Sequence, residues 1–156
     1  MKGINHFQNV QQPQTHYFTE NDMGKQQTHS VLFGYLLWIF GFLGMHRFYY
    51  GKPISGTIYF FTLGLLFIGW IVDLFLIPKM DREADIRFIE GDIDYNIAWL
   101  LLAFLGVFGV HRMYMGKWLS GILYLLTGGF FLIGVIYDLW TLNDQISLLN
   151  GARARS

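Results

Sequence analysis

Two histidine–arginine pairs and two aspartates are the side chains in this sequence best equipped for chemistry. Together they could carry protons, bind phosphate groups or form ion pairs inside an apolar environment. Each histidine–arginine pair ends an apolar run, and each aspartate lies near the far end of the run that follows. The six residues are His46, Arg47, His111, Arg112, Asp73 and Asp138. Which chemistry is open to them depends on the elements that hold them.

The composition predicts that a lipid bilayer is the solvent for much of the chain. Hydrophobic residues make up 53% of the 156 residues and charged residues only 14%, against about 25% charged in typical globular proteins. One soluble core of this size could not bury so much apolar surface. The formal net charge is zero and the bases are scattered, which disfavours nucleic acid as a partner. The chain has no cysteine, which excludes disulfides and thiol chemistry.

Hydropathy divides the chain into two membrane domains separated by a charged linker. Each domain holds two apolar runs of helical length, joined by a turn that begins Gly-Lys. We therefore predict an all-α membrane protein with four transmembrane helices. The predicted segments are a polar, disordered tail over 1–30, a two-helix domain over 31–78, a linker over 79–95, a second two-helix domain over 96–143 and a C-terminal tail over 144–156.

The two domains are a tandem repeat with a shift of 65 residues. Between 41–74 and 106–139, 17 of 34 positions are identical, including His-Arg, Lys and Asp in register. Because each unit has two spans, the two hairpins should share one orientation in the membrane. The histidine–arginine pairs then lie on one side and the aspartates on the other. This arrangement excludes an ion pair between Arg47 and Asp73 within one hairpin, since 19 residues of helix rise about 28 Å.

The repeated motif resembles a known family. The residues G-x-x-G-x-H-R-F-Y-Y-G-K, then S-G-x-x-Y and G-x-x-x-I-G-x-x-x-D-L, are similar to the TM-two domain, a short membrane hairpin of two helices. The likeness covers roughly 31–78 and 96–143, although the second unit reads His-Arg-Met at 111–113. The resemblance implies an integral membrane protein with no established enzymatic activity.

The candidate site residues each carry two hypotheses. His46, Arg47, His111 and Arg112 are either interfacial anchors or a site for an anionic headgroup or an acidic partner. Asp73 and Asp138 are either exposed near a helix end or converge on a cation or proton site. The glycine pairs at three-residue spacing, Gly41/Gly44 and Gly106/Gly109, are predicted to pack helices closely. Motifs for hydrolases, metalloproteases and nucleotide binding do not occur, so we predict no enzyme, cofactor or metal.

These observations favour a structural, interaction or regulatory module of the cell membrane. Its expected partners are the lipid bilayer, anionic headgroups and other membrane proteins, and a homo-oligomer is compatible with the sequence. The alternative is a small ion or proton transporter that uses Asp73 and Asp138. The distribution of Lys and Arg favours cytoplasmic termini.

Overall fold

The computed structural model describes residues 27–155, which form helices and no strands. The predicted all-α class is therefore confirmed, whereas the disorder predicted for the N-terminal tail falls largely outside the described residues. We call α1–α4 the first half and α5–α8 the second half. The helices are α1 (Val31–Trp38), α2 (Met45–Tyr49), α3 (Pro53–Leu66), α4 (Ile68–Arg87), α5 (Tyr95–Leu105), α6 (Val110–Tyr114), α7 (Trp118–Phe131) and α8 (Ile133–Arg153).

The second apolar run of each repeat unit, predicted as one long helix, is divided by a sharp turn. Residues 63–67 all have positive φ, with Leu63 at 50° and Phe67 at 66°. Residues 128–132 repeat this left-handed turn between α7 and α8, although such a backbone costs roughly 1–2 kcal/mol for each L-residue. Within residues 27–155, no single helix meets the length and hydropathy expected of a membrane span. Helices α7 and α8 meet them only as a pair, bent by 118°.

The first apolar run of each unit is also interrupted. Helix α1 ends at Trp38, the 3-10 turn Gly41–Leu43 follows, and α2 then begins at Met45. The second half repeats this order with the 3-10 turn Gly106–Phe108 between α5 and α6. Each half therefore contains four helices, of 5 to 20 residues in the first half and 5 to 21 in the second, where the sequence predicted two.

Contacts along α4 show how α1 is oriented relative to α4. The indole N–H of Trp38 donates to the carbonyl of Trp70 and the reverse bond is also made, both at 2.8 Å. Further along, the Tyr35 hydroxyl donates to the carbonyl of Leu74 at 3.2 Å. Asp85 then accepts from the backbone N–H of Thr28 at 2.9 Å. Helix α1 therefore runs antiparallel to α4.

Charged and apolar residues separate to opposite ends of this arrangement. Lys52, in the loop before α3, pairs with Glu83 at 2.5 Å, and Arg87 donates to the carbonyl of Gly51 at 2.9 Å. We define the polar end as residues 28–30, 50–53, 79–95, 115–118 and 143–155. The apolar end comprises residues 39–43, 63–68, 104–108 and 128–133. Phe40 and Phe104 line one groove, so both halves direct their apolar ends the same way.

One hydrophobic core joins the two halves. Tyr49 and Tyr50 from the first half pack with Trp99 and Ile146 from the second, and all four side chains are at least 98% buried. Asn143 of α8 reinforces the contact, because its amide donates to the carbonyl of Tyr49 at 2.6 Å and its carbonyl accepts from the Trp99 indole at 2.6 Å. The two repeat units thus fold as one body.

Candidate functional site

The structure brings His46, Arg47 and Asp73 together, so the predicted separation of the basic pair from the aspartate is wrong. Nε2 of His46 lies 2.7 Å from Oδ2 of Asp73. Arg47 donates from Nε to Oδ2 at 2.7 Å and from Nη2 to Oδ1 at 2.5 Å. The separation had assumed a straight helix from Ile54 to Asp73, whereas the turn at 63–67 returns the chain to the level of α2.

The second half repeats this cluster with nearly identical geometry. His111 Nε2 lies 2.7 Å from Oδ2 of Asp138, and Arg112 contacts the two carboxylate oxygens at 2.8 and 2.6 Å. The exclusion of an ion pair within a hairpin is therefore wrong in both units. We call the two groups the buried triads, because the His and Asp side chains are fully buried and Arg47 and Arg112 are only 15% and 13% exposed.

A tyrosine on α3 or α7 completes each triad. The Arg47 guanidinium carbon lies 4.0 Å from the ring centre of Tyr59, and Arg47 also donates to the Tyr59 hydroxyl at 2.9 Å. The matching distance from Arg112 to the ring of Tyr124 is 4.2 Å. A desolvated cation over an aromatic face gains up to about 2 kcal/mol. These tyrosines were not predicted as site residues, although both occur in the repeated S-G-x-x-Y motif.

Glycines of the 3-10 turn make room for each triad. Gly44 has φ +77°, and a Cβ atom there would lie 2.4 Å from the carbonyl oxygen of Gly56. A Cβ on Gly41 would lie 2.7 Å from Nδ1 of His46. The glycines predicted to form one face of a helix therefore lie in a turn, where they let α2 approach α3. Gly109 repeats the left-handed conformation in the second half, with φ +71°.

The histidine of each triad uses one ring nitrogen. Nε2 faces the aspartate, at 2.7 Å in both halves. Nδ1 of His46 and of His111 is buried and has no hydrogen-bond partner among the described residues. Each aspartate is therefore contacted by both the histidine and the arginine of its triad.

This arrangement suits a structural cluster better than a reactive one. Every oxygen of Asp73 and Asp138 already accepts a hydrogen bond from the protein. Within residues 27–155, no group of three or more His, Asp or Glu side chains could hold a metal ion. Breaking a buried ion pair usually costs about 3–5 kcal/mol, so the triads fix the position of α2 against α4 and of α6 against α8.

Two amides on α8 also have roles that the sequence analysis missed. Asn143 joins the halves as described above, across 94 residues of sequence. Asn150 accepts from the N–H of Ile93 at 3.0 Å and donates to the carbonyls of Ile93 and Ile89. Its counterpart 65 residues earlier is Asp85, which accepts from Thr28, the counterpart of Ile93. The repeat therefore extends past the aligned segment, and a longer alignment could have found this pair.

Comparison with known proteins identifies the family. The sequence profile of the TM2 domain matches residues 27–75 and 91–140, which together make up more than half of the chain. The chain belongs to the TM2 domain family. The two matches confirm the tandem duplication of TM2 domains that the repeated motif had predicted.

Three TM2 domain-containing proteins of Dictyostelium discoideum are similar to this chain. One is 48% identical over 60 residues, covering 38% of this chain and 39% of the relative. A second is 61% identical over 52 residues, covering 33% and 38%, and a third is 44% identical over 55 residues, covering 35% and 34%. The matches thus span about two fifths or less of each relative. No solved structure matches the chain significantly.

Proposed function

We propose that this tandem TM2 protein is a membrane-embedded structural and interaction module without enzymatic activity. The separation of charged from apolar residues carries the proposal. No charged residue occurs over 53–72 or 118–137, and large apolar side chains of these segments are exposed. Leu66 is 78% exposed and Phe131 is 83% exposed. A contiguous apolar surface of this kind is typical of a membrane contact, and lipid is the partner that an uncharged, largely aliphatic and aromatic surface fits.

The polar end is the surface that we propose for other proteins. Ile86 is 84% exposed and Leu148 is 75% exposed, and both lie on the charged ends of α4 and α8. Asp144, which is 61% exposed, pairs with Arg87 at 3.8 Å. Apolar side chains surrounded by charged groups are common in protein interfaces. The buried triads, in contrast, are closed to substrates and partners, which supports a role without catalysis.

The headgroup hypothesis for the histidine–arginine pairs receives less support than it did from the sequence. Both guanidinium groups are occupied by an aspartate, so an anionic headgroup would have to compete with a buried carboxylate. Ion or proton transport through Asp73 and Asp138 has no specific observation in its favour, because both carboxylates are fully buried and already paired with a histidine and an arginine. We propose, as the sequence predicted, that the termini are cytoplasmic.

Charge substitutions at matched exposed positions test the proposal. Leu66→Lys combined with Phe131→Lys places two charges at the apolar end, where each costs about 2.5–3.5 kcal/mol in lipid. Ile86→Lys combined with Leu148→Lys places the same charges at the polar end as a control with similar exposure. We expect alkaline carbonate to leave the wild type and the control in the membrane pellet and to release the first variant. Release of the wild type would contradict embedding.

The same control pair tests the interaction role. If the polar end binds other proteins, Ile86→Lys with Leu148→Lys should remove those that co-purify with the wild type from native membranes while membrane retention is unchanged. An unchanged set of co-purifying proteins would contradict binding at this surface.

A further inference from the structure

We infer that both halves enter a single leaflet of the bilayer from the same side. The two tight loops, residues 50–52 between α2 and α3 and residues 115–117 between α6 and α7, then share one aqueous face with the linker and the C-terminal end of α8. The inference rests on the proposed membrane embedding and adds the topology of that embedding. Its partner is one leaflet of a lipid bilayer, contacted by the apolar end. A hairpin of two spanning helices would instead place each tight loop on the face opposite the linker.

Contacts between the tight loop and α4 carry the inference in the first half. Lys52 and Glu83 are 2.5 Å apart, and Arg87 donates to the carbonyl of Gly51 at 2.9 Å. In a hairpin of two spanning helices, the loop and the linker end of α4 would be separated by the roughly 30 Å hydrocarbon core. Here they form one charged surface.

The second half shows the same relation with different residues. Nζ of Lys117, in the loop before α7, donates to Oε1 of Gln145 on α8. The hydroxyl of Tyr114, next to this loop, accepts from the N–H of Asp94 in the linker at 3.0 Å. The second tight loop therefore also lies beside the linker.

The apolar length of α4 and α8 fits one leaflet. The segment from Ile68 to Ile77 holds ten residues before the charged stretch that begins at Lys79. Ten helical residues rise about 15 Å, half of a hydrocarbon core of about 30 Å. In the second half, ten residues from Ile133 to Leu142 precede Asn143. The one acid inside each segment belongs to a buried triad, so it is shielded from lipid by its arginine and histidine.

Two threonines supply hydrogen bonds that a turn inside lipid requires. A backbone N–H without a partner costs several kcal/mol in a bilayer. Thr62 accepts from the N–H of Leu65 at 3.0 Å, and Thr127 accepts from the N–H of Phe130 at 3.0 Å. Both hydroxyls also donate to a carbonyl one turn earlier, at 2.7 Å. These threonines interrupt otherwise apolar segments at the point where the chain reverses.

The distribution of basic residues agrees with this topology. With the tight loops on the same face as the linker, all the bases among residues 27–155 that lie outside the triads are at the polar end. They are Lys52, Lys79, Arg82, Arg87, Lys117, Arg153 and Arg155. Basic residues concentrate on the cytoplasmic side of membrane proteins, so this face is the cytoplasmic one.

Single-cysteine labelling tests the topology, because the wild-type chain has no cysteine. Lys52→Cys and Lys117→Cys report on the tight loops, Ile86→Cys and Leu148→Cys on the polar end, and Leu66→Cys and Phe131→Cys on the apolar end. Each full-length variant is expressed in cells, and sealed right-side-out and inside-out membrane vesicles are treated with a membrane-impermeant maleimide. Loss of an exposed ion pair costs at most about 1 kcal/mol, so the Lys52 variant should fold, and Lys117→Cys provides a second loop position.

We expect the loop thiols and the polar-end thiols to be labelled in the same vesicle orientation. Neither group of thiols should be labelled in the opposite orientation. The apolar-end thiols should be labelled in neither orientation until detergent is added. Labelling of the loop thiols in the opposite orientation from Ile86→Cys, with the apolar end still protected, would overturn the one-leaflet topology and leave membrane embedding intact. Labelling of Leu66→Cys without detergent as fast as Ile86→Cys would overturn embedding, and the topology with it.

Discussion

The two halves of the molecule are most alike in the residues that hold each half together. They differ in the residues by which one half contacts the other. In the buried triads the matching distances agree within 0.1 Å, for example 2.5 Å from Arg47 to Asp73 and 2.6 Å from Arg112 to Asp138. Asn143, which holds the first half through the carbonyl of Tyr49, corresponds to Pro78 in the first half. Pro78 has no side-chain hydrogen-bonding group. The hydrogen bonds that Asn143 makes across the joint therefore have no counterpart from the first half.

The start of each half shows a second difference. Asp85 accepts from the N–H groups of Thr28 and His29 and from the Thr28 hydroxyl, whereas its counterpart Asn150 bonds both the N–H and the carbonyl of Ile93. The side chain that binds the backbone at this place is thus an aspartate in the first half and an asparagine in the second. The triad and the left-handed turn are thus common to both TM2 units, whereas the contacts of Asn143 and of Asp85 differ from those of their counterparts.

Breaking a triad should have the largest effect, and a similar one in both halves. Asp73→Leu and Asp138→Leu each leave a mostly buried arginine without its counter-charge, so we expect each to lower the free energy of unfolding by about 3–5 kcal/mol. Denaturant titration in detergent micelles measures this. Restoring neutrality with Arg47→Met in the Asp73→Leu background, or Arg112→Met in the Asp138→Leu background, should recover most of the loss. A loss confined to one half would show that the two triads are not equivalent despite their geometry.

Removing the hydrogen bonds of Asn143 should weaken the contact between the two halves. Asn143→Leu leaves the buried Trp99 indole N–H and the Tyr49 carbonyl without this partner, and we expect a loss of about 2–3 kcal/mol. Because the lost bonds connect the halves, limited proteolysis should become faster over 88–94, the part of the linker between α4 and α5, than within either half.

Thr141→Ala is a suitable control for that variant, since Thr141 lies on the same helix and its hydroxyl bonds to Tyr137 and Gln145, both within α8. Equal protease sensitivity of Thr141→Ala and Asn143→Leu in the linker would argue against a special role for Asn143.

His29 and Asp81 lie at the polar end of the first half, and only His29 has an ionisable counterpart in the second half. Burial lowers the pKa of His29 to about 4, partly offset by the charge of Asp85. Burial, together with the charge of Asp85, raises the pKa of Asp81 to about 6, and Arg82 opposes that shift. The counterparts in the second half are Asp94 and the buried Ile146. The contributions that these two positions make to the pH dependence of stability between about pH 4 and 6 should therefore come from the first half.

The two groups act in opposite directions. Between about pH 4 and 6 the folded chain keeps a proton on Asp81 that the unfolded chain releases, so Asp81 makes stability fall as pH rises. The unfolded chain protonates His29 below about pH 6.5 while the folded chain does not, so His29 makes stability rise with pH. We expect wild-type stability to be nearly constant over this window.

Single variants should reveal each contribution. For Asp81→Asn, stability should rise with pH by up to about 1.4 kcal/mol per unit, and for His29→Gln it should fall by a similar amount. Unfolding titrations at pH 4, 5 and 6 provide the measurement. Parallel pH profiles for the two variants would show that neither group titrates as described.

The sequence predicted the helices and the duplication but not the arrangement of segments within each half. The 65-residue repeat, the break at Gly51-Lys52 and the apolar runs follow from local patterns. The turn at 63–67 does not, because Leu63 and Phe67 are not residues that signal a left-handed backbone. Gly64 and the Gly128-Gly129 pair were the available hints.

The missed ion pair follows from that missed turn. A straight helix separates Arg47 from Asp73 by about 28 Å, whereas a reversed chain brings them into contact. The contacts of Asn143 reach across more than 90 residues, and no local periodicity encodes such a pairing. Tyr59 and Tyr124 were visible in the repeat, yet their position over a guanidinium required the three-dimensional fold.

The smallest expected difference lies at the lysines of the tight loops. Lys52 pairs with Glu83, whose side chain is 46% exposed, and such surface pairs contribute about 0–1 kcal/mol. Lys117 instead contacts Gln145, which donates to Asp138 at 3.3 Å and to Thr141 at 2.8 Å. Lys52→Met should therefore change the free energy of unfolding by less than about 0.5 kcal/mol, and high salt should remove most of that change.

Lys117→Met should have the larger effect, about 1 kcal/mol, because it releases Gln145 and so loosens a hydrogen bond to a buried triad. Its effect should be less sensitive to salt, since its direct partner is a neutral amide. Gln145→Met provides the matched test: if Lys117 acts through Gln145, the double variant should be little worse than Gln145→Met alone. Additive losses would mean that Lys117 acts independently of the triad, and the halves would then differ at this loop only in surface charge.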